Sequence, residues 1–333
     1  MPAKTRATLL KRIREVGPTD FAGLALDVFR YQVVHNPIYA QFLDLLHVDP
    51  ATVAAAIDIP HLPIALFKKY RLQSGEWKAV RTFTSSGTTG TITSHHPVRT
   101  EGWCRENARR AFEDQYGPLA GRPVLALLPA YLERTGSSLV FMADDFIQRS
   151  GHPDSGFFLD DLVGLAEKLR QLQLDLAGPR PLLIGVSFAL LDLAERHPAD
   201  LRRIIIMETG GMKGRRKELT RAELHTTLSA AFKAEHIHSE YGMTELLSQA
   251  YAPQNGLFLP APTLRATTRE VTDPLSPTAS GKTGPLNLTD LANLDTISFI
   301  ATDDLGRVHP DGSFEVLGRL DASDVRGCNL LVL

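Results

Sequence analysis

The amino-acid sequence predicts an α/β fold with a mostly parallel sheet, followed by a smaller β-rich subdomain. Two patterns support this prediction. Between residues 123 and 239, short apolar runs alternate with stretches of helical period, the order expected of strands joined by crossover helices. After about residue 251, prolines punctuate short apolar runs instead. The chain has 333 residues, of which 43% are hydrophobic, which suits one large domain or two medium ones.

The N-terminal part is predicted to be helical. Apolar residues recur every three to four positions over 20–46, with Asp20 as the expected N-cap, and Pro37 divides this stretch in two. A proline-containing, irregular connector follows over 57–67, and a polar helix is expected over 102–116.

The alternating part is predicted to form the core. Its strands are expected at 123–128, 181–186, 203–207 and 236–239. Its helices are expected at 159–176, 188–195 and 219–232.

The C-terminal part carries hairpin signals. Strands at 297–301 and 313–317 flank an Asp311-Gly312 turn. We therefore divide the chain into a helical N-terminal region (1–80), an α/β core (81–250) and a β-rich subdomain that completes the same large domain (251–333).

Charge and cysteine content narrow the functional classes. Lys+Arg 36 against Asp+Glu 38 leaves a formal charge of −2, which gives no global attraction to nucleic acid or anionic membranes. The two cysteines cannot build a disulfide framework and favour a reducing compartment. No secretory signal is expected, and the longest apolar stretch, 182–191, is too short to cross a bilayer. We therefore expect a cytoplasmic protein without a membrane span.

A hydroxyl-rich glycine loop is the first candidate for chemistry. Residues 82–90 read Thr-Phe-Thr-Ser-Ser-Gly-Thr-Thr-Gly. Glycines allow successive N–H groups to converge on an anion, and the hydroxyls add donors for phosphate oxygens. A flexible polar loop is the alternative. The Gly-Lys-Ser/Thr of a Walker loop is absent from this segment.

The second candidate is Glu-Tyr-Gly-Met-Thr-Glu at 240–245. It follows the strand predicted at 236–239, and open α/β sheets bind ligands at the ends of their strands. Tyr241 offers a stacking face, Thr244 a hydroxyl, and Glu245 an oxygen ligand suited to Mg²⁺. A simple strand-to-helix turn is the alternative.

The third candidate pairs Thr-Asp-Asp-Leu-Gly at 302–306 with Gly-Arg-Leu-Asp at 318–321. A carboxylate at a strand end can accept both hydroxyls of a ribose. A hairpin with aspartate turn chemistry is the alternative.

Taken in order, these segments resemble the adenylate-forming superfamily of acyl-CoA synthetases, peptide-synthetase adenylation domains and luciferases. The chain looks most like LuxE-type acyl-protein synthetases and their phenylacetate-CoA-ligase-like relatives. That finer likeness rests on the loop at 85–90 and on the segments 24–32, 208–214 and 324–329. The resemblance covers nearly the whole chain and implies an adenylate-forming large domain, with parallel-sheet α/β subdomains and a smaller C-terminal β-rich subdomain.

The resemblance implies that ATP and Mg²⁺ activate a fatty or aromatic carboxylic acid as an acyl-adenylate, which then passes to a thiol. It assigns the β- and γ-phosphates to Ser85, Ser86, Gly87, Thr88, Thr89 and Gly90. Gly210 and Gly211 would line the adenine and acyl pocket, and Tyr241 would stack near adenine. Thr244 would touch the α-phosphate, and Glu245 would hold Mg²⁺. Asp304, rather than Asp303, and Arg319 would reach the ribose.

The chain also departs from the pattern of its relatives. Many of them carry a Lys after the glycine loop, where this chain has His95 and His96. Either one of these histidines would make the phosphate contact that the Lys makes in relatives, or the two form an exposed pair. Relatives continue into a small C-terminal domain with a catalytic Lys, which we expect this chain to lack. Another basic residue, such as those in 213–217, or a partner would then substitute, or adenylation is slow.

Cys328 is the expected acyl acceptor. LuxE-type synthetases pass the acyl group to a cysteine near the C-terminus, and a thiolate attacks an acyl-phosphate anhydride readily. A structural cysteine is the alternative, and it is favoured for Cys104. An acyl reductase, an acyltransferase or an acyl carrier is the expected partner. Two other functions stay open, a stand-alone adenylase that serves CoA or a carrier protein, and a non-catalytic adenylate-binding subunit.

Two weaker signals concern a serine and a pair of histidines. Ser187 lies in Gly-Val-Ser-Phe-Ala (185–189), one residue short of a nucleophile elbow, and a helix N-cap is its favoured role. A hydrolase would need Asp and His partners near it. His236 and His238 lack further ligands at zinc spacing, so no zinc site is expected.

Overall fold

The computed structural model describes residues 5–85, 92–129, 136–210, 219–279 and 281–320. The chain forms two compact units. We call the one built from residues up to 77 and from 262 onwards the terminal unit, and the one built from 78–261 the central unit. The regions divided in the sequence as helical N-terminal and β-rich C-terminal thus share one unit.

The helices match the predicted positions, and two more are present. They are α1 (Arg6–Arg14), α2 (Phe21–His35), α3 (Pro37–Leu45), α4 (Glu101–Tyr116), α5 (Ser138–Ser150), α6 (Leu162–Leu174), α7 (Ser187–Arg196) and α8 (Arg221–Phe232). The additional helices are α1 and α5. Asp20 precedes α2 as predicted, but its side chain makes no capping hydrogen bond. None of the described helices has the length and apolarity that a bilayer crossing requires.

The strands follow in chain order. They are β1 (Leu62–Pro63), β2 (Arg81–Thr84), β3 (His95–Val98), β4 (Val124–Leu127), β5 (Gly156–Phe157), β6 (Leu182–Val186), β7 (Ile205–Thr209), β8 (His238–Tyr241), β9 (Ala250–Ala252), β10 (Leu257–Pro260), β11 (Leu264–Thr268), β12 (Thr283–Asp290), β13 (Phe299–Val308) and β14 (Phe314–Arg319).

The central unit contains the predicted parallel sheet. Strands β5, β4, β6, β7 and β8 are neighbours in that order and run parallel, and β9 and β10 continue the sheet antiparallel. Every residue of β4, β6 and β7 is buried, as expected of parallel strands with both faces covered. The predicted α/β class is confirmed.

Strand β8 lies two residues later than the sequence suggests. It spans His238–Tyr241 and not 236–239, and all four residues are buried. Because these residues are mostly polar, a search for apolar runs does not detect the strand at its actual position. The shift places Glu240 and Tyr241 inside the sheet, where Thr209 of β7 pairs with Glu240.

The terminal unit is a mainly antiparallel sheet with helices. Strands β11, β12, β13 and β14 pair antiparallel, and β1 joins β13 in parallel. Helix α2 contributes Phe29, whose ring meets Phe299 of β13 edge-on at 6.1 Å between centroids. The predicted turn between β13 and β14 is present: Gly312 has a φ of +86°, and the Ser313 N–H donates to Asp311 Oδ1 at 3.0 Å.

Candidate active site

The carboxyl ends of β7 and β8 bring buried polar side chains together in the central unit. Glu208 pairs in register with Ser239, and Thr209 with Glu240. Because side chains alternate across a sheet, these two pairs lie on opposite faces. One edge of the sheet therefore carries two separate polar clusters.

The first cluster centres on Glu240. Its carboxylate Oε2 accepts a hydrogen bond from Thr209 Oγ1, and the residue is 9% exposed. Burial raises the pKa of Glu240 to about 7, with a further rise from the charge of Glu208 and an opposing effect of the Thr209 hydrogen bond. A carboxyl group with this pKa changes its protonation state near neutral pH.

The second cluster centres on Glu208 and lies on the other face. Its Oε1 is 3.5 Å from Arg221 Nε and 3.6 Å from His225 Nε2, both on α8. His225 Nε2 also lies 3.3 Å from Ser239 Oγ. These contacts tie α8 to the ends of β7 and β8.

Ser187 belongs to this second cluster but does not form a hydrolase triad. Its hydroxyl donates to the Gly210 carbonyl and contacts Glu208 Oε2 at 3.3 Å, so that the acid lies between Ser187 and His225. A nucleophilic serine needs the histidine as its direct partner. The prediction that Ser187 is a helix N-cap is also wrong, because it is the first residue of α7, whose N-cap Val186 has no side-chain cap. The short strand-to-helix junction places Ser187 one position further along the helix.

Tyr241 ends β8 with its ring held from one side. It is 9% exposed, and its ring lies 5.7 Å from that of Phe258 on β10. The Arg221 guanidinium lies 5.0 Å from the same Phe258 ring. The Phe258 ring therefore packs against both Tyr241 and Arg221. This packing restricts the orientation of the Tyr241 ring toward a ligand.

Thr244 and Glu245 follow in the turn after β8. The Leu246 N–H donates to the Met243 carbonyl at 3.1 Å, which closes this turn. His96 on β3 donates through Nδ1 to the Thr244 carbonyl at 2.7 Å. Glu245 is buried, with 6% of its surface exposed. The backbone that carries both residues is therefore anchored to β3.

His96 corrects an expectation from sequence. His95 is exposed, whereas His96 is completely buried, so the two do not form an exposed pair. Burial lowers the pKa of His96 to about 4, which keeps the imidazole neutral and leaves Nδ1–H as a donor. Its role in the structure is to hold Thr244, and only the three-dimensional pairing reveals it.

The β2–β3 hairpin carries the start of the glycine loop. Ser85 and Ser94 face each other, with the Ser85 N–H donating to the Ser94 carbonyl at 3.2 Å and Ser85 Oγ accepting from the Ser94 N–H at 2.9 Å. Gly210 directly follows β7 and has a φ of +71°. Several predicted residues lie outside the described ranges, namely Ser86, Gly87, Thr88, Thr89, Gly90, Gly211, the basic residues of 213–217, and Cys328.

The terminal unit brings the predicted ribose residues together. Asp304 on β13 pairs in register with Arg319 on β14, and Arg319 Nε donates to Asp304 Oδ1 at 3.0 Å. Asp304 is 8% exposed, whereas the Arg319 side chain is 74% exposed. The backbone N–H of Asp304 also donates to Thr302 Oγ1 at 3.2 Å. The pair leaves a buried carboxylate beside an exposed guanidinium.

The structure also places Cys104 and His238, the residues considered for a structural cysteine and for a zinc site. Cys104 is buried on α4 with its Sγ 3.7 Å from the Thr100 carbonyl, which fits a structural role. His238 Nδ1 lies 3.2 Å from Tyr116 Oη. Within the described ranges, no group of three or more His, Cys, Asp or Glu residues could hold a metal ion.

Comparisons with known proteins place the fold. No family model matches the chain, and no curated protein matches it in sequence. Among solved structures, 2-hydroxyisobutyryl-CoA ligase in complex with 2-HIB-AMP and CoA, in the thioesterification state, matches with a TM-score of 0.65 at 13% identity over 96% of this chain and 70% of its own. ATP-bound MatB from Rhodopseudomonas palustris matches with a TM-score of 0.53 at 16% identity over 72% of this chain.

These matches confirm the predicted adenylate-forming ligase fold. The chain spans about half the length of MatB, 47%, and about two thirds of the 2-hydroxyisobutyryl-CoA ligase in its postadenylation complex, 69%.

Proposed function

We propose that this chain is an ATP-dependent ligase that activates a carboxylic acid as its acyl-adenylate. One observation carries the proposal. The structure of a ligase in complex with 2-HIB-AMP and CoA matches 96% of this chain. In this chain, Tyr241, Thr244 and Glu245 lie at the carboxyl end of a central parallel strand. Ligands of open α/β sheets bind at such strand ends.

The proposed reaction joins the acid to the α-phosphate of ATP. A carboxylate oxygen forms a bond to the α-phosphorus, the bond from that phosphorus to the bridging oxygen breaks, and pyrophosphate leaves with the electron pair. The protein supplies alignment and charge stabilisation rather than covalent chemistry. Thr244 would hydrogen-bond the α-phosphate, Tyr241 would stack on adenine, and Ser85 with the following loop would receive the outer phosphates. Asp304 and Arg319 would take the ribose hydroxyls.

The residues present fit a magnesium ion that arrives with ATP. Mg²⁺ in nucleotide sites takes one or two carboxylates and completes its shell with phosphates and water. Glu245, buried in the turn after β8, supplies one such carboxylate. When bound, the ion would neutralise charge on the departing pyrophosphate.

The finer assignment is a LuxE-type acyl-protein synthetase. In this proposal the acid is fatty or aromatic, and the acyl group passes to the thiol of Cys328 before a reductase, acyltransferase or acyl carrier takes it. The support is the sequence resemblance at 85–90, 208–214 and 324–329. CoA or a carrier protein is the alternative acceptor, and a subunit that binds the adenylate without catalysis is the alternative function.

Carboxylate-dependent exchange of labelled pyrophosphate into ATP tests the activation step. The wild-type chain should show exchange with at least one acid of a fatty and aromatic panel. Glu245→Ala should reduce that exchange about 100-fold or more, because it removes a charge-stabilising ligand of the transition state. Glu235→Ala is the matched control, since the Glu235 side chain is 89% exposed. Nucleotide binding without exchange for any acid, alone or with partner proteins, would refute catalysis and favour the non-catalytic subunit.

Labelled acid tests the acceptor. Cys328→Ser should keep pyrophosphate exchange but lose covalently attached acyl label, and Cys104→Ala should keep both. Retention of the label by Cys328→Ser would refute Cys328 as the acceptor.

A further inference from the structure

The segment 94–98, which contains β3, is hydrogen-bonded to both segments that the proposed function assigns to phosphates. Its first residue, Ser94, exchanges two hydrogen bonds with Ser85, the first residue of the glycine loop, at 2.9 and 3.2 Å. Two positions later, His96 donates through Nδ1 to the Thr244 carbonyl at 2.7 Å. One short stretch of chain is therefore bonded to the start of the loop and to the turn after β8.

The His96 ring is held in place by the hairpin to which it belongs. His96 pairs in register with Phe83 of β2, and the two rings meet edge-on with their centroids 6.4 Å apart. His96 is completely buried, and Phe83 is 2% exposed. Because side chains in a packed interior have little room to change rotamer, the hairpin fixes the direction in which Nδ1–H points.

A second contact holds the same turn against the hairpin. Leu247, two residues after Glu245, packs against an apolar cluster of Phe83, Val98 and Cys104. Phe83 and Val98 belong to β2 and β3. The segment 244–247 is thus fixed at its first residue by a hydrogen bond from β3 and at its last residue by an apolar contact. Glu245 is buried between these two attachments in the chain.

This attachment matters because in-line transfer depends on alignment. The proposed function places the Thr244 hydroxyl on the α-phosphate, and that side chain extends from the backbone that His96 holds. Groups that act on a reacting centre need a placement within about 0.5 Å, and a misplacement of about 1 Å costs about 100-fold in rate. The hydrogen bond from His96 therefore bears on the reaction through the backbone of Thr244.

We propose that His96 is a positioning residue for adenylation, which sets the turn of Thr244 and Glu245 relative to the glycine-loop hairpin. This inference rests on the proposed function and names a further residue that serves the same site. When the loop binds the outer phosphates of ATP, the α-phosphate meets a turn whose place is already fixed. His96 itself touches no reacting atom and transfers no proton.

Substitutions that keep or remove a donor at the position of Nδ1 test the hydrogen bond by pyrophosphate exchange. Asparagine carries its amide nitrogen near the position of histidine Nδ1, and glutamine carries it near the position of Nε2. His96→Asn should therefore keep most of the wild-type kcat, whereas His96→Gln and His96→Leu should lower kcat about 10- to 100-fold. The KM for ATP should change less than about threefold, because the loop still binds the outer phosphates.

His61→Leu is the matched control for a structural histidine. His61 also directs Nδ1 to a backbone carbonyl, that of Ile59 at 2.9 Å, but it lies in the terminal unit. Its loss should lower the Tm and leave kcat and KM of the folded protein unchanged. The same result for His96→Leu would overturn the inference. Equal losses of kcat in the three His96 variants would also overturn it, since the effect would then not depend on a donor at Nδ1.

Nucleotide binding separates this inference from the proposed function. ATP affinity, measured by calorimetry, should rise when Mg²⁺ is added, and the rise should be about tenfold smaller in His96→Leu than in the wild type or His96→Asn. Wild-type exchange that no His96 variant alters would overturn the inference and leave the ligase proposal standing. If no acid supports exchange, the ligase is refuted, and binding still decides the role of His96. An equal gain from Mg²⁺ in the wild type and His96→Leu would overturn that role.

Discussion

Two buried polar side chains, one in each unit, are hydrogen-bonded in different ways. In the terminal unit, Gln32 on α2 is completely buried, its Nε2 donates to the Asn293 and Leu294 carbonyls at 3.0 and 3.1 Å, and its Oε1 accepts from the Ser298 N–H at 3.0 Å. In the central unit, the Glu240 carboxylate receives one side-chain hydrogen bond from the described residues, donated by the Thr209 hydroxyl.

The buried tyrosines repeat this contrast. Tyr39 in the terminal unit donates its hydroxyl to the Pro60 carbonyl at 2.7 Å. Tyr251 in the central unit is equally buried, yet no partner for its hydroxyl is found among the described residues.

The difference indicates distinct roles. A buried side chain whose polar atoms are hydrogen-bonded to backbone groups holds a loop to a helix and favours one structure. Polar groups with open capacity at the end of a parallel strand are a cost to stability, and such costs are typical of ligand sites. Three predictions test whether this contrast holds.

The largest effect should come from Gln32→Leu. The substitution leaves two carbonyls and one N–H without their partner in the interior, so the free energy of unfolding should fall by about 3 to 5 kcal/mol. Urea denaturation measures this. Gln41→Leu is the control, since Gln41 on α3 is exposed. A loss below about 1 kcal/mol would mean that Gln32 does not hold the 293–298 loop.

The second effect is a pH dependence that Glu240 introduces. Its folded pKa of about 7 lies above the ordinary value of 4.5. Between these values the folded protein binds more protons than the unfolded chain, so wild-type stability should fall as pH rises from about 4.5 to 7. The fall relative to Glu240→Gln should be about 3 kcal/mol. Parallel stability curves for the two proteins would show that Glu240 ionises normally.

The smallest effect compares two buried tyrosines. Tyr39→Phe should lose about 1 kcal/mol or more, because the Pro60 carbonyl is left unpaired. Tyr251→Phe should leave the free energy of unfolding unchanged or raise it by up to about 1 kcal/mol, because it removes a buried hydroxyl without a partner. Thermal or urea unfolding of both variants checks this. Equal losses would show that the two hydroxyls do not differ in their hydrogen bonding.

Sequence patterns predicted the scaffold because burial follows local composition. The apolar runs at β4, β6 and β7 are continuous, and such runs are typical of parallel strands covered on both faces. The Asp311-Gly312 turn was predictable from its turn chemistry alone. The strand-end segment with Tyr241 was found because glycine interrupts the pattern directly after a short strand.

Other features could not be predicted in this way. Ser187 looked like a helix cap, but the junction after β6 begins the helix at Ser187 itself. His96 was expected to be exposed beside His95, but in β3 His95 is exposed and the three residues after it are buried. Glu240 attracted no functional hypothesis of its own, because a glutamate before a tyrosine gives no sign of which face it occupies.

By itself, the sequence determined the α/β class, the order of most elements and the segments in which chemistry is expected, since these depend on local periodicity and composition. Only the tertiary structure decided which polar residues share an environment. The pairing of β7 with β8 sets Thr209 beside Glu240, and the pairing of β8 with β9 sets Tyr251 beside it. A pKa near 7 for Glu240 arises from its burial among those neighbours, which no single segment contains.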